Sequence, residues 1–235
     1  MSDLEAIRAR CRGIKLGTLP LDEARALARG FELSPMTKVI HRMLGELDDY
    51  DGDFLVHDGP LTISGDLSVS ELGAVVLIVK GNLTVTGCYS DTDDPQTITR
   101  VDGELRAGAI VTAGFLEVRG DVICEGPFFG DYNDCNCLVT GSVRCDLFYP
   151  EEHFFEVRGD LVARAALGNV KHRVSGAGAR PEAMPMDDPR LLEHFDRELL
   201  RVFDGDEGEA PRVDGFDKDI EVRRRIRAGK PLKTP

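Results

Sequence analysis

Basic residues are scarce in this chain of 235: 29 Lys and Arg stand against 42 Asp and Glu, a net charge of −13. That deficit argues against nucleic acid or an anionic membrane as the main partner, because both need a basic face. A basic partner is the natural complement, although acidity also simply keeps proteins soluble. No secretory leader is legible, and no apolar run is long enough to span a bilayer. The six cysteines are then expected as reduced thiols in the cytoplasm. No nucleophile elbow, phosphate loop or dinucleotide fingerprint occurs, so neither catalysis nor a cofactor is expected.

What the chain does have is a cadence. A glycine, usually a polar residue, an apolar residue, any residue and a small or apolar one recur from Gly65, Gly81, Gly103, Gly120, Gly141 and Gly159. Gly81-Asn82-Leu83-Thr84-Val85 and Gly159-Asp160-Leu161-Val162-Ala163 are two of these copies. Alternating runs such as Val76-Leu77-Ile78-Val79 and Phe115-Leu116-Glu117-Val118 precede most of the glycines. Repeats of this length cannot bury an apolar face singly. Stacking them closes the core and pairs each strand edge with the next coil. The expected fold is mainly β: a single-stranded β-solenoid of about six coils, with glycine at a corner of each. At the ordinary strand spacing it would be a rod on the order of 30 Å long. An antiparallel sandwich also has short, evenly spaced strands.

The flanks change pattern. Residues 1–53 read as a helical N-terminal segment, 54–173 as the solenoid, and 174–235 as a linker followed by C-terminal helices. Ser2 or Asp3 can cap a helix through Leu4, Ile7 and Cys11; Pro20 and Ser34-Pro35 open two more. Asp188-Pro189 opens an amphipathic helix carrying Leu191, Leu192, Phe195, Leu199, Leu200 and Phe203. A last, arginine-rich helix runs from Asp217 to Arg227. Such flanks would cover the two ends of the rod and oppose polymerisation, or else lie along its side.

Residues at equal offsets from the corner glycine are expected to stack. Tyr89, Phe128 and Tyr149 share one offset, and Asp91, Asp131, Glu151 and Glu152 follow two or three places later. The segment from Pro127 to Phe155 also holds Phe129, Tyr132 and Asp134. The expectation is a lateral aromatic and acidic strip that captures a protein, made of Tyr89, Asp91, Phe128, Phe129, Asp131, Tyr132, Asp134, Tyr149, Glu151 and Glu152. The competing expectation is that several of these aromatics are core.

Cys124 and Cys145 share the slot that elsewhere holds Val69, Val85, Ala107 and Ala163, and are expected as buried steps of one ladder. Cys135 and Cys137 could contribute to a metal site only with a third ligand, and no metal is expected. His57, His153 and His172 do not share an offset, and each is read as a lone surface histidine. Asp49-Tyr50-Asp51-Gly52-Asp53 imitates the start of a calcium loop but has Pro60 where a closing Glu would stand, so it reads as a solvated turn.

The run from Leu61 to Ala163, with its Gly-Asp-Leu-x-Val phrases and Phe129-Gly130-Asp131-Tyr132-Asn133-Asp134, resembles bacterial β-solenoid proteins of the bactofilin, polymer-forming kind. That likeness implies a self-assembling cytoskeletal scaffold. In charge and style the chain is also similar to immunity partners of bacterial toxins, which implies masking of a basic toxin or effector domain. Such masking is the leading expectation, and the scaffold is the alternative.

Overall fold

The structure is a computed structural model that describes residues 3–14, 22, 26, 29–32, 53–131, 134–204 and 211–234. From Asp53 the chain winds as a β-solenoid of about six turns. Each turn lays one stretch of strand in each of two sheets. The first sheet stacks Asp53–Asp58, Ala74–Lys80, Ile98–Val101, Phe115–Val118, Asn136–Val139, Phe154–Val157 and Val174–Ser175. The second stacks Leu61–Ile63 and Leu67–Ser68, then Leu83–Ser90, Leu105–Thr112, Val122–Cys124 with Pro127–Gly130, Val143–Tyr149 and Leu161–Ala166. Every pairing between successive turns is parallel, which rules out the hairpin-built sandwich.

The cadence has a physical reason at each place. The third position is an inward column, Leu61, Leu83, Leu105, Val122, Val143 and Leu161, all buried in one core. The second position is polar because its side chain accepts a backbone N–H from the turn above. Asn82 Oδ1 accepts from Glu104 at 2.9 Å, Asp121 Oδ1 from Ser142 at 2.7 Å, Ser142 Oγ from Asp160 at 3.1 Å and Asp160 Oδ1 from Ala179 at 2.8 Å. Glycine leads because the corners are in backbone contact: Gly141 N donates to Gly120 O at 3.0 Å. A Cβ on Gly141 would lie 2.6 Å from that oxygen, and the backbone behind it cannot move aside. Gly141→Ala is expected to cost about 1–3 kcal/mol by overpacking, read as a lower thermal midpoint at unchanged far-ultraviolet dichroism.

One copy of the phrase is out of phase. Leu61 pairs with Leu83, so the first corner is Gly59. Gly65-Asp66-Leu67 belongs to a second bend, where Gly87 N donates to Gly65 O and Leu67 pairs with Tyr89. Two different bends can carry the same phrase because both need a glycine against backbone and a polar side chain on the next turn: Asp66 Oδ1 accepts from Cys88 N at 2.7 Å.

The N-terminal helix, Asp3–Arg10, packs on the first turn, with Ile7 buried in the solenoid core and Leu4 and Cys11 against it. Arg8 binds Leu72 O and Asp53, and Arg10 binds Thr62 O at 2.8 Å. The strand Arg12–Ile14 then lies antiparallel on Asp53–Asp58. Asp22, Ala26 and Arg29 are helical; the helix expected from Ser34 to Leu47 lies outside the described residues. Phe31 sits under the Arg100 guanidinium at 5.1 Å, and Glu32 N donates to buried Glu117 at 2.8 Å, so this stretch rides on the first sheet.

The C-terminal segment departs from expectation. The coils continue past residue 173: Leu161 N donates to Ala179 O, and Leu167 bridges to Met184. Arg180 closes this end by donating to the carbonyls of Val157, Gly159 and Ser175. The expected amphipathic helix from Asp188 to Phe203 is replaced by one turn of helix, Leu191–His194, a 3-10 turn, Arg197–Leu199, and a hairpin of Leu200–Phe203 with Arg212–Phe216. The last helix, Asp219–Arg227, is where the arginines predict it. This module does not cap the rod. It lies along the outer side of the second sheet, burying Leu191, Phe195, Leu199, Val213, Val222 and Ile226 against Val111, Phe129, Leu147 and Leu167. A helix needs one apolar stripe, whereas this wall is wide and flat, and short elements cover it better.

Candidate functional site at the insert-bearing corner

Each turn passes from the second sheet to the first through a corner of variable length. Residues 91–97, 113–114 and 150–153 stack there, together with Asp131, Asp134 and Cys135. The expected strip maps to this corner, but most of it turns inward. Tyr89, Asp91, Phe128 and Phe129 are buried, which corrects their assignment as contact residues. Phe128 packs edge-on to Phe148 at 5.7 Å and to Phe155 at 5.3 Å in the coil interior. Phe129 and Tyr149 point outward but meet the C-terminal module: their rings lie 5.0 Å apart, and Tyr149 reaches Phe216 at 5.7 Å.

The physical reason is a register slip. Val122 pairs with Val143 but Pro127 pairs with Leu147, so the turn from Gly120 holds one residue more at its bend than the turn above. The turn from Gly81 shifts likewise between Val85 and Cys88. Tyr89, Ile110, Phe128 and Phe148 therefore form one inward column, and Tyr149 falls one place out of it. A slip of one residue exchanges the faces of a strand.

Asp91 is the polar centre of this interior. Its Oδ1 accepts from Ala113 N and Gly114 N, both at 2.7 Å, and its Oδ2 from Tyr89 Oη at 2.9 Å and Thr112 Oγ1 at 3.0 Å. Burial pushes its carboxyl above the ordinary range, against the pull of these four donors. The carboxylate ties the turn of residues 91–97 to the tight turn at 113–114. That is an architectural task.

What remains at the surface is acidic. Asp93, Asp94, Asp134, Glu151 and Glu152 are exposed or half-buried on three of the four turns at this corner, the tight turn at 113–114 carrying no carboxylate. Asp131 is held by Arg223 of the last helix, and Glu152 by Arg173. Tyr132 lies outside the described residues. Glu151 has a positive φ of 44°, the one non-glycine residue with this feature among the described residues. Local backbone strain of this kind concentrates at functional sites. The aromatic missing from the expected strip is Phe154, 47 % exposed, with Arg173 over its ring at 4.6 Å. Period-two alternation through Phe155 and Val157, both inward, was the signal that could have found it.

All six cysteines are free thiols. Cys124 is buried with Ala107 below it, as expected, whereas Cys145, paired with Ala163, is only half-buried against the same core. Burial pushes the Cys135 thiol up to about 12 and Cys137 well above its usual range, so both stay protonated. No group of three or more His, Cys, Asp or Glu arranged to hold a metal ion occurs among the described residues. His153, expected at the surface, is buried against Phe155 at 5.1 Å. The calcium-like turn lies outside the described residues except Asp53, which pairs with Arg8. No helix among the described residues is long and apolar enough to cross a membrane.

The fold and corner thus define a laterally covered β-solenoid with an acidic edge. No protein-family model matches the chain, and neither a curated protein nor a solved structure matches it.

Proposed function

We propose that this protein is a non-catalytic binding β-solenoid that takes a basic protein on its insert-bearing corner, in the manner of an immunity protein masking a toxin or effector domain. The observation that carries the reading is the convergence on one corner of Asp93, Asp94, Asp134, Glu151 and Glu152, from three stacked loops, beside exposed Phe154. Carboxylates fixed on a rigid stack steer a cationic partner, and an aromatic at their margin slows its release. Both solenoid ends carry features that oppose end-to-end growth: the antiparallel strand Arg12–Ile14 at one, and Arg180 on the last carbonyls at the other. The proposed compartment is the cytoplasm, in keeping with six free thiols.

The test is a combined variant, Asp93→Asn, Asp94→Asn, Glu152→Gln and Phe154→Ser, compared with the unaltered protein in affinity capture from extracts of the source cell. A basic protein retained by the unaltered chain and released by high salt is expected to be lost by the variant at unchanged melting temperature. Equal retention by the variant, or filaments in negative-stain images of the pure protein, would overturn the reading; filaments would favour the scaffold.

A further inference from the structure

The C-terminal tail bridges the outer face of the second sheet. Lys230 N is tied to Arg225 O at 2.9 Å and Leu232 O to Asp196 N at 2.7 Å, so the tail is anchored on both sides of Pro231. Two voids open beneath it and share Pro127, Lys230 and Pro231. The first, of about 380 Å³, is floored by the second glycine column, Gly87, Gly108 and Gly126, with Cys88, Ala109 and Ile226 as walls. The second, of about 260 Å³, is lined by Asp146, Arg164, His194, Lys230 and Lys233.

The bare floor follows from the stacking of the coils. A Cβ on Gly108 would lie 2.8 Å from Thr86 O in the turn below, so no side chain can be spared there to fill the groove. Next to it, the row of Val111, Phe129 and Leu167 is filled by side chains of the C-terminal module. The charge of the second void runs against that of the whole protein. Its one carboxylate, Asp146, is already held by Arg164 through two bonds of 2.6 and 3.0 Å. Lys230 and Lys233 line the same void, and among the described residues no carboxylate forms an ion pair with either. The Cys88 thiol is pushed up to about 12 by burial, so it is a wall and no nucleophile.

We propose that these joined voids bind a long-chain carboxylate, with the aliphatic chain along the glycine floor and the carboxylate at Lys230 and Lys233. The apolar half rewards methylenes, each buried one tightening binding by about fourfold. The cationic half rewards a single negative head. This site does not rest on the partner-binding reading, because it shares no residue with the acidic corner.

Calorimetric titration of the full chain with dodecanoate, octanoate and dodecanol, each below its micelle concentration, tests it. Dodecanoate is expected to saturate one site, with octanoate, four methylenes shorter, weaker by about two orders of magnitude and dodecanol weaker by about tenfold. Lys230→Glu with Lys233→Glu should weaken dodecanoate by about tenfold at unchanged melting temperature of the unliganded protein. Ala109→Phe should abolish binding by filling the groove. The two lysines are exposed, so their variant folds and decides the matter even if Ala109→Phe disturbs packing. The proposal is overturned if dodecanoate shows no saturable binding, or if the lysine variant binds it as the unaltered chain does.

Discussion

Asp91→Ala is expected to destabilise the protein by about 3–5 kcal/mol, one of the two largest losses from any single change considered. Removal of the carboxylate strands two backbone N–H groups, of Ala113 and Gly114, and two hydroxyls, of Tyr89 and Thr112, all in a fully buried interior. Asp91→Asn keeps an acceptor for the backbone pair, and its amide can donate to the hydroxyl oxygens. Its expected cost is about 1 kcal/mol. Urea unfolding of the three proteins checks this ordering. A contact residue for a partner would give the opposite result, with stability unchanged.

The same comparison has a pH signature. Asp91 holds its proton more tightly in the folded state than at the ordinary value of 3.8. Between 3.8 and its folded value the native state therefore binds more protons than the unfolded one. The stability this carboxyl contributes is fully present below 3.8 and is lost as pH rises through the folded value. The advantage of the unaltered chain over Asp91→Asn should shrink over that window. Carboxylates held low by partners, such as Asp196 at about 2 beside Thr234 and Arg225, change both proteins alike and cancel.

Phe128→Ala is expected to cost about 3–5 kcal/mol and lower the thermal midpoint by on the order of 10 °C. Phe128 is fully buried among Phe148 and Phe155, whose own rings lie 5.1 Å apart. Stacked coils cannot close around the hole, because each ring is fixed by a strand paired on both sides. Calorimetric unfolding checks it. The matching change at the surface, Phe154→Ser, should leave the midpoint almost unmoved, and the contrast separates the buried column from the exposed edge.

Much of the fold was legible because a solenoid repeats its constraints. Leu83, Leu105, Val122, Val143 and Leu161 meet the same interior, and Asn82, Asp121, Ser142 and Asp160 face the same backbone N–H, so the sequence shows them as copies. The acidic part of the corner, Asp134, Glu151 and Glu152, was legible as well, because insertions have one place to go. The aromatic part was not. Counting from the glycine treats every turn as equally long, and one additional residue at the bend before Pro127 sent Phe128 inward and put Tyr149 beside Phe129. The Gly65 phrase misled for a related reason, since two bends in one turn ask for the same residues.

Local periodicity by itself determined that this chain would stack its coils, that the third residue of each corner phrase from Gly81 to Gly159 would face inward, and that five of the corners would fall at those glycines. Only the tertiary structure decided which turns lie in register, that the C-terminal segment covers a side wall and leaves the ends to other residues, and that Asp91 belongs to the interior. The physical reason is range. Alternation and corner glycines are set by neighbours in sequence, whereas register and the docking of the last fifty residues depend on contacts between distant positions, whose energies leave no local pattern to read.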